Sequence, residues 1–406
     1  MFDDSIPLDG HAALTLMLPA YVLLYAEAVL VQLSGTRLLR LALLPCGLYF
    51  MLQSAKIDQT SMFPDNYKSR LTYFNLGNIT IMLTLAMQLV TFAIAPKPLY
   101  RTDRPRIKST SIPLPTLFSH ALDLMFNARG IGWNWGTSIP KPAYPARTKW
   151  HAILYSLTSF ILHTLLVDAV LFITYALNPA LRNPEGASMF LDHTGAPLSP
   201  LHTTAITLCM GTTIYAAVVY PYDAVRITAL LLGADPTRWP PLFDAPWAAT
   251  SLKDLWGRRW HQMFRHSFVV LGAVPGRAVG DWVARVSGMS SPGRILALLG
   301  AFALSSLLHS LPLHGMGRGG DAFRISVFFM MMGVGIVLED VWRRTSGKPV
   351  CGFAGRVWTY GWLLGWGHSL VEAYCQKGIA GALWFRIVTF SLYGIPEHAS
   401  YPAVTV

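Results

Sequence analysis

SLKDLWGRRWHQMFRHSF, residues 251–268, crowds Arg258, Arg259, His261, Arg265 and His266 around Trp256 and Trp260 inside a chain that is otherwise strongly apolar. Ser251 is a favoured N-cap residue, and Leu252, Leu255, Trp256, Trp260, Met263 and Phe264 follow at three- and four-residue spacing. The stretch therefore predicts one amphipathic helix over 251–268. Arginines beside an aromatic seam suit two roles: an interfacial helix whose cations meet lipid phosphates, or a grip on an anionic, partly apolar ligand.

The background decides what kind of molecule this is. Hydrophobic residues make up 53% of the 406 positions and charged ones 13%, about half the charged share of a soluble domain. Mean hydropathy is +0.41. These values point to an all-α, polytopic membrane protein with eight or nine transmembrane helices plus interfacial helices. Expected spans are 12–33, 38–54, 71–95, 151–177, 202–220, 294–313, 323–341, 356–374 and 379–394, each near the roughly 20 residues a crossing needs. The segment 266–288, broken by Pro275 and carrying Arg277, Asp281 and Arg285, reads as an interfacial or re-entrant helix that does not cross. No repeat divides the chain, so 1–406 is expected to form one membrane domain.

The net charge of +11 is gathered in loops, which fits membrane orientation better than nucleic-acid binding. Loop 97–149 holds nine Lys or Arg against two Asp, and 221–265 is basic as well. Both are placed in the cytoplasm, with Arg343, Arg344 and Lys348 on the same side and the N-terminus in the lumen. MFDDSIPLDG carries three Asp and no cation, the wrong sign for a cleavable signal. Loop 97–149 is too long for a simple connection, and its RGIGWNWGTSIPKP at 129–142 carries two tryptophans. A folded cytoplasmic cover is expected there. The four cysteines lack paired spacing and suggest neither disulfides nor zinc.

Ionisable residues inside apolar spans are functional candidates because burying them is costly. Glu27, His163, Asp168, His309, His368 and Glu372 qualify. His309 stands in AFALSSLLHSLPLHG just before Pro312, where an imidazole can either react or simply bond a backbone carbonyl. His368 and Glu372 share a helix face, an arrangement that orients an imidazole or neutralises a buried carboxyl. The pairs His261/His266, His309/His314 and His163/Asp168 are each five apart, poor spacing for a shared metal ion. The glycines of GAVPGRAVG, 272–280, follow no strand, so their likeness to a nucleotide-binding loop carries no weight.

Three of these blocks resemble a known family. SLKDLWGRRWHQ, 251–262, resembles the motif of plant wax synthases and related fungal proteins, a branch of the membrane-bound O-acyltransferase superfamily. RGIGWNW, 129–135, is similar to a signature of the fungal wax-synthase-like members, many of them acetyltransferases of terpenoid and other secondary-metabolite pathways. SSLLH, 305–309, looks like the segment holding the superfamily's catalytic histidine. One departure stands out: the superfamily commonly has asparagine after the motif tryptophan, whereas Trp260 is followed by His261.

The resemblance implies an endoplasmic-reticulum enzyme that moves an acyl group, acetyl foremost, from acyl-CoA to the hydroxyl of a lipophilic, terpenoid-type acceptor. His309 would be the general base, with His261 or Asn134 stabilising the oxyanion. Trp256, Arg258, Arg259, Trp260 and Arg265 would hold the acyl-CoA co-substrate, and neither a resident cofactor nor a metal is called for. A wax-ester synthase using long-chain acyl-CoA and a fatty alcohol is the near alternative. A membrane transporter is the distant one, disfavoured because inverted repeats are not evident.

Overall fold

The computed structural model describes residues 5–103, 112–136, 148–288, 292–317 and 321–382. Seven of its helices are long and apolar enough to cross a membrane: α1 Gly10–Leu30, α2 Arg37–Ala55, α3 Tyr73–Ile94, and, beyond the cover helix α4 Leu114–Phe126, α5 Lys149–Leu177 and α6 Pro200–Leu231. The last two are α8, Gly293–Ser310 with a 3-10 continuation Leu311–Met316, and α9 Ala322–Ser346. Between α6 and α8 lies α7, α-helical over Arg265–Phe268, π over Val269–Ala273 and α-helical again over Val274–Ser287. Helix α10, Gly352–Cys375, closes the described bundle. Among the described residues, sheet is limited to a two-residue parallel pair, Ile6–Pro7 with Ile57–Asp58.

The protein is thus an all-α polytopic membrane protein, and seven of the nine expected spans coincide with these helices. The eighth, 356–374, is α10, rich in tryptophan and glycine rather than aliphatic residues, and it does not reach the same apolarity. The ninth, 379–394, lies outside the described residues beyond Ala382, and its described start is a turn. Helix α6 also departs from expectation: it runs through Pro221 to Leu231 instead of ending near residue 220. Proline removes one helical hydrogen bond and usually breaks or kinks the helix, yet this extension carries half-buried Tyr222, which meets Arg129 of the cover, and buried Arg226, which lies over Tyr155 of α5.

The two ends of the bundle are tied differently. At one end the Arg40 guanidinium donates to the carbonyls of Phe92, Ala93 and Ala95, closing the end of α3 whose last carbonyls lack helical partners. The cover packs there: α4 lies on α1, Gln88 donates to the Leu124 carbonyl, and Arg101 bridges Asp103 and Asp123. The Arg101 guanidinium holds the Asp103 carboxyl below the usual carboxylate range. Trp133 Nε1 donates to Asp123 at 2.6 Å, and residues 101 and 133 form an isolated bridge, so the described parts of the cover, 97–103 and 112–136, hold one another in place. Gly130 and Gly132 take left-handed φ of 64° and 77°, which explains the glycines of RGIGWNW.

At the opposite end Glu372 organises the structure. It accepts from Ser188 Oγ, the Met189 N–H and Gln376, and it pairs with Arg324 at 3.3 Å. His368 is not its partner: Nδ1 bonds the Leu364 carbonyl and Nε2 meets Thr204 Oγ1. The shared helix face predicted for this pair therefore serves two separate structural contacts.

Candidate active site

The motif does not form one helix. Ser251 caps as expected, accepting from the Asp254 N–H at 2.9 Å, but Leu255–Arg259 winds as a π turn that ends with Trp260 N–H donating to Leu255 O at 2.8 Å. Residues 260–264 leave helical geometry before α7 begins. The break is held by side chains: Gln262 donates to the Trp256 and Trp260 carbonyls at 3.1 and 2.6 Å, and Arg265 donates to the Gly257 carbonyl at 2.6 Å. These bonds replace the backbone donors a continuing helix would supply. Isolated π turns are often found at functional sites.

Glycines fix the return path. Gly272, Gly276 and Gly280 face Gly300, Leu296–Ala297 and Gly293, so closely that a Cβ on any of them would strike α8 backbone. Their four-residue spacing is the small-residue stripe by which membrane helices approach. This is what GAVPGRAVG encodes. The register makes α7 antiparallel to α8, so chain 251–287 enters beside α9, turns at 260–264 and comes back to the end where α8 starts. The turn lies toward the far part of α8, which carries His309.

There an aromatic wall links the two motif histidines. The His309 ring lies 4.5 Å from Phe329, and Trp256 packs on Phe302, Phe328 and Phe329 at 6.1 to 6.4 Å. Trp256 also meets Trp260 at 5.5 Å, while Phe243 and Phe264 flank the His261 ring at 5.6 and 5.4 Å. Leu252 and Lys253 donate their N–H groups to Glu339 of α9, and Trp358 donates to the same carboxylate. Glu339 thereby anchors the start of the motif segment.

The polar atoms at this wall are partly uncommitted. His309 Nδ1 lies 2.8 Å from the Ser305 carbonyl, an acceptor only, so Nδ1 carries the proton and Nε2 keeps its lone pair. Among the described residues, His261 Nδ1 and Trp256 Nε1 are buried without a hydrogen-bond partner. Burial pushes the His261 imidazole down to about 3, with His309 and then the Arg129 cation adding to the effect. His261 is neutral at any ordinary pH, and successive ring contacts from His309 through Phe329, Trp256 and Trp260 to His261 place both imidazoles along one wall.

Not every predicted site residue comes to this wall. Arg259 donates to Asp254 at 2.6 Å and to the carbonyls of Asp244 and Ala245 at 3.2 Å each, bracing the 244–245 turn. Arg265 holds the break, and half-exposed Arg258 pairs with Asp254 at 3.1 Å and Asp244 at 3.7 Å. Asn134 is exposed and its amide is tied to the cover's own backbone, accepting from Tyr100 N–H at 3.1 Å and donating to Pro98 O at 3.4 Å. Its expected oxyanion role is not supported by this placement. The residue of that motif that approaches the wall is Arg129, buried on Tyr222 and donating to the carbonyls of Pro240 and Pro241. Trp135 also reaches inward, its ring 4.5 Å from His266. Both were missed by reading the motif for an amide donor rather than for what a basic, aromatic loop could pack against.

Residues 239–331 match the Membrane bound O-acyl transferase family. It is the family the motifs resemble. The match takes in Phe243, Trp256, His261, His309 and Phe329. An acetyltransferase of Aspergillus fumigatus, spyB, is 31% identical over 38% of this chain and 27% of its own length. The O-Mevalon transferase macI of Penicillium terrestre is 25% identical over 57% of this chain and 54% of its own length. A probable long-chain-alcohol O-fatty-acyltransferase of Arabidopsis thaliana is 29% identical over 36% and 41%. The matched stretches thus span about half the length of these curated relatives or less.

Proposed function

We propose that the protein is an O-acyltransferase of the endoplasmic-reticulum membrane that transfers acetyl from acetyl-CoA to a hydroxyl of a lipophilic, terpenoid-type metabolite. The observation that carries this reading is the meeting of His309 and His261 at one aromatic wall, inside the stretch that matches the family. His309 Nε2 takes the hydroxyl proton while the oxygen attacks the thioester carbonyl. Collapse of the tetrahedral intermediate expels the CoA thiolate, which receives that proton from His309, leaving an ester and a free thiol. The neutral His261 imidazole has one N–H to offer, and aimed at the carbonyl oxygen it stabilises the oxyanion in place of the superfamily's asparagine. Trp256 and Trp260 line the donor's path. Arg258 borders it, and Arg259 and Arg265 shape it.

Donor entry from the cytoplasmic cover side and acceptor entry from the bilayer agree with the basic loops at that end. The test is purified protein given radiolabelled acetyl-CoA and a terpene alcohol, followed by a donor series up to palmitoyl-CoA. Label in an organic-soluble ester is expected, strongest with acetyl. The name of the Arabidopsis relative favours a second reading, transfer of a fatty acyl group to a long-chain alcohol, and a rate that rises with donor length would select it. No ester with any donor would sink both readings and return the transporter alternative.

A further inference from the structure

The motif arginines were the natural candidates for phosphate contacts, yet all three already have protein oxygens as partners, Arg259 and Arg265 most closely. Elsewhere the opposite holds. A cleft of about 310 Å³ at the start of α8 is lined by Arg277, Asp281, Arg294 and Arg344, drawn from α7, α8 and α9. Arg277 makes only a loose pair with Asp281 at 3.7 Å. Arg294 and Arg344 make no hydrogen bond or ion pair with any described residue. Three guanidiniums facing one cleft with a single carboxylate repel one another unless an anion joins them, and forked guanidinium donors match phosphate oxygens.

The position of the cleft adds a second argument. Arg294 and His309 are fifteen residues apart on α8, and Arg344 and Phe329 are fifteen apart on α9. Both helices therefore run about 22 Å from the cleft to the wall where His309 meets Phe329. A molecule with a phosphate-rich head and a reactive group at the end of an extended arm would span this distance.

We propose that this cleft is a phosphate-binding site. The source is either the phosphates of the CoA donor, which rests on the acyl-transfer reading, or the headgroup of an anionic phospholipid. In both cases Arg294 and Arg344 form the grip and Arg277, steadied by Asp281, completes it.

The experiment uses the full chain in neutral detergent and calorimetric binding of two probes, CoA and a soluble short-chain phosphatidate, to wild type, Arg294→Gln/Arg344→Gln, Arg294→Lys/Arg344→Lys and the distant control Arg37→Gln. The arginines of the cleft are exposed, so the variants are expected to fold, and thermal unfolding checks this. Loss of at least about tenfold in CoA affinity in the Gln pair, smaller in the Lys pair and absent in Arg37→Gln, identifies the donor as the source. The same pattern with phosphatidate and not with CoA identifies the lipid. Changes within about twofold for both probes overturn the site. Ester formation is measured in parallel at saturating donor. Its absence in wild type would defeat the acyl-transfer reading while leaving the binding result to be judged on its own.

Discussion

The polar site around Glu372 and His368 and the site at the aromatic wall differ in what their polar atoms do. Near one end, Glu372 and His368 have every hydrogen-bonding group engaged: the carboxylate takes three donors and a guanidinium, and both imidazole nitrogens have partners. At the aromatic wall, Trp256 Nε1 and His261 Nδ1 have no partner among the described residues, where His309 is held through Nδ1 alone. A buried polar atom left unpaired costs stability, so native structures retain few of them. The difference sets the braced site apart from the one proposed to do chemistry more sharply than the position of either in an apolar span.

The largest expected effect tests that separation directly. His309→Gln keeps a hydrogen-bonding group but cannot take a proton, so turnover should fall by about 10² to 10⁴ with expression and donor binding near wild type. Retention of more than about a tenth of wild-type kcat would make His309 a packing residue and erase the contrast.

Glu372→Ala should do the reverse. It strips the partners from Ser188, Met189 and Arg324, and losing such a buried hub costs about 3 kcal/mol or more of stability. A lower unfolding temperature in detergent is expected, with kcat per folded molecule unchanged. A fall in kcat without loss of stability would move the chemistry to this end.

The contrast also explains what the sequence could and could not convey. The positions of seven spans, the Ser251 cap and an ordered stretch around RGIGWNW followed from apolar periodicity, cap chemistry and loop length, because these are local properties. The break at 260–264 was hidden: a π turn inserts a residue without disturbing the apolar spacing, and the bonds from Gln262 and Arg265 that stabilise it depend on geometry the spacing does not reveal. The glycines at 272, 276 and 280 were visible but weighed only as a nucleotide-binding loop and set aside, when their four-residue period already described a helix contact. His309 and His261 stood out as residue types, but their convergence depends on that contact.

Arg259 and Arg258 sharpen the comparison within the motif itself. Arg259→Gln removes an ion pair and two carbonyl contacts and should cost about 1 to 3 kcal/mol, seen as a lower unfolding temperature. Arg258→Gln removes only exposed pairs and should change stability by less than about 1 kcal/mol. If Arg258→Gln instead raises the KM for acyl-CoA about tenfold with stability intact, this arginine belongs to the donor grip beside the proposed cleft.

The smallest effect concerns His261 and pH. In the unfolded chain its imidazole takes up a proton as pH falls through the ordinary value of about 6.5, whereas in the folded protein it stays neutral until about 3. Between those values the unfolded state binds the extra proton, so stability contributed by this residue is complete above 6.5 and declines as pH falls. From pH 8 to about pH 6 the loss should be about 1 kcal/mol or less, since only part of the unfolded population is protonated there. Other groups titrate in the same range, so the quantity to measure is the difference between wild type and His261→Gln in thermal unfolding midpoint at each pH. That difference should be flat above about pH 7.5 and should shift in favour of His261→Gln below about pH 6.5. Parallel curves down to pH 5 would mean that His261 accepts a proton in the folded protein as readily as in the unfolded chain. The aromatic wall would then be open enough for water to compete for the neutral imidazole, and the oxyanion role proposed for it would fail.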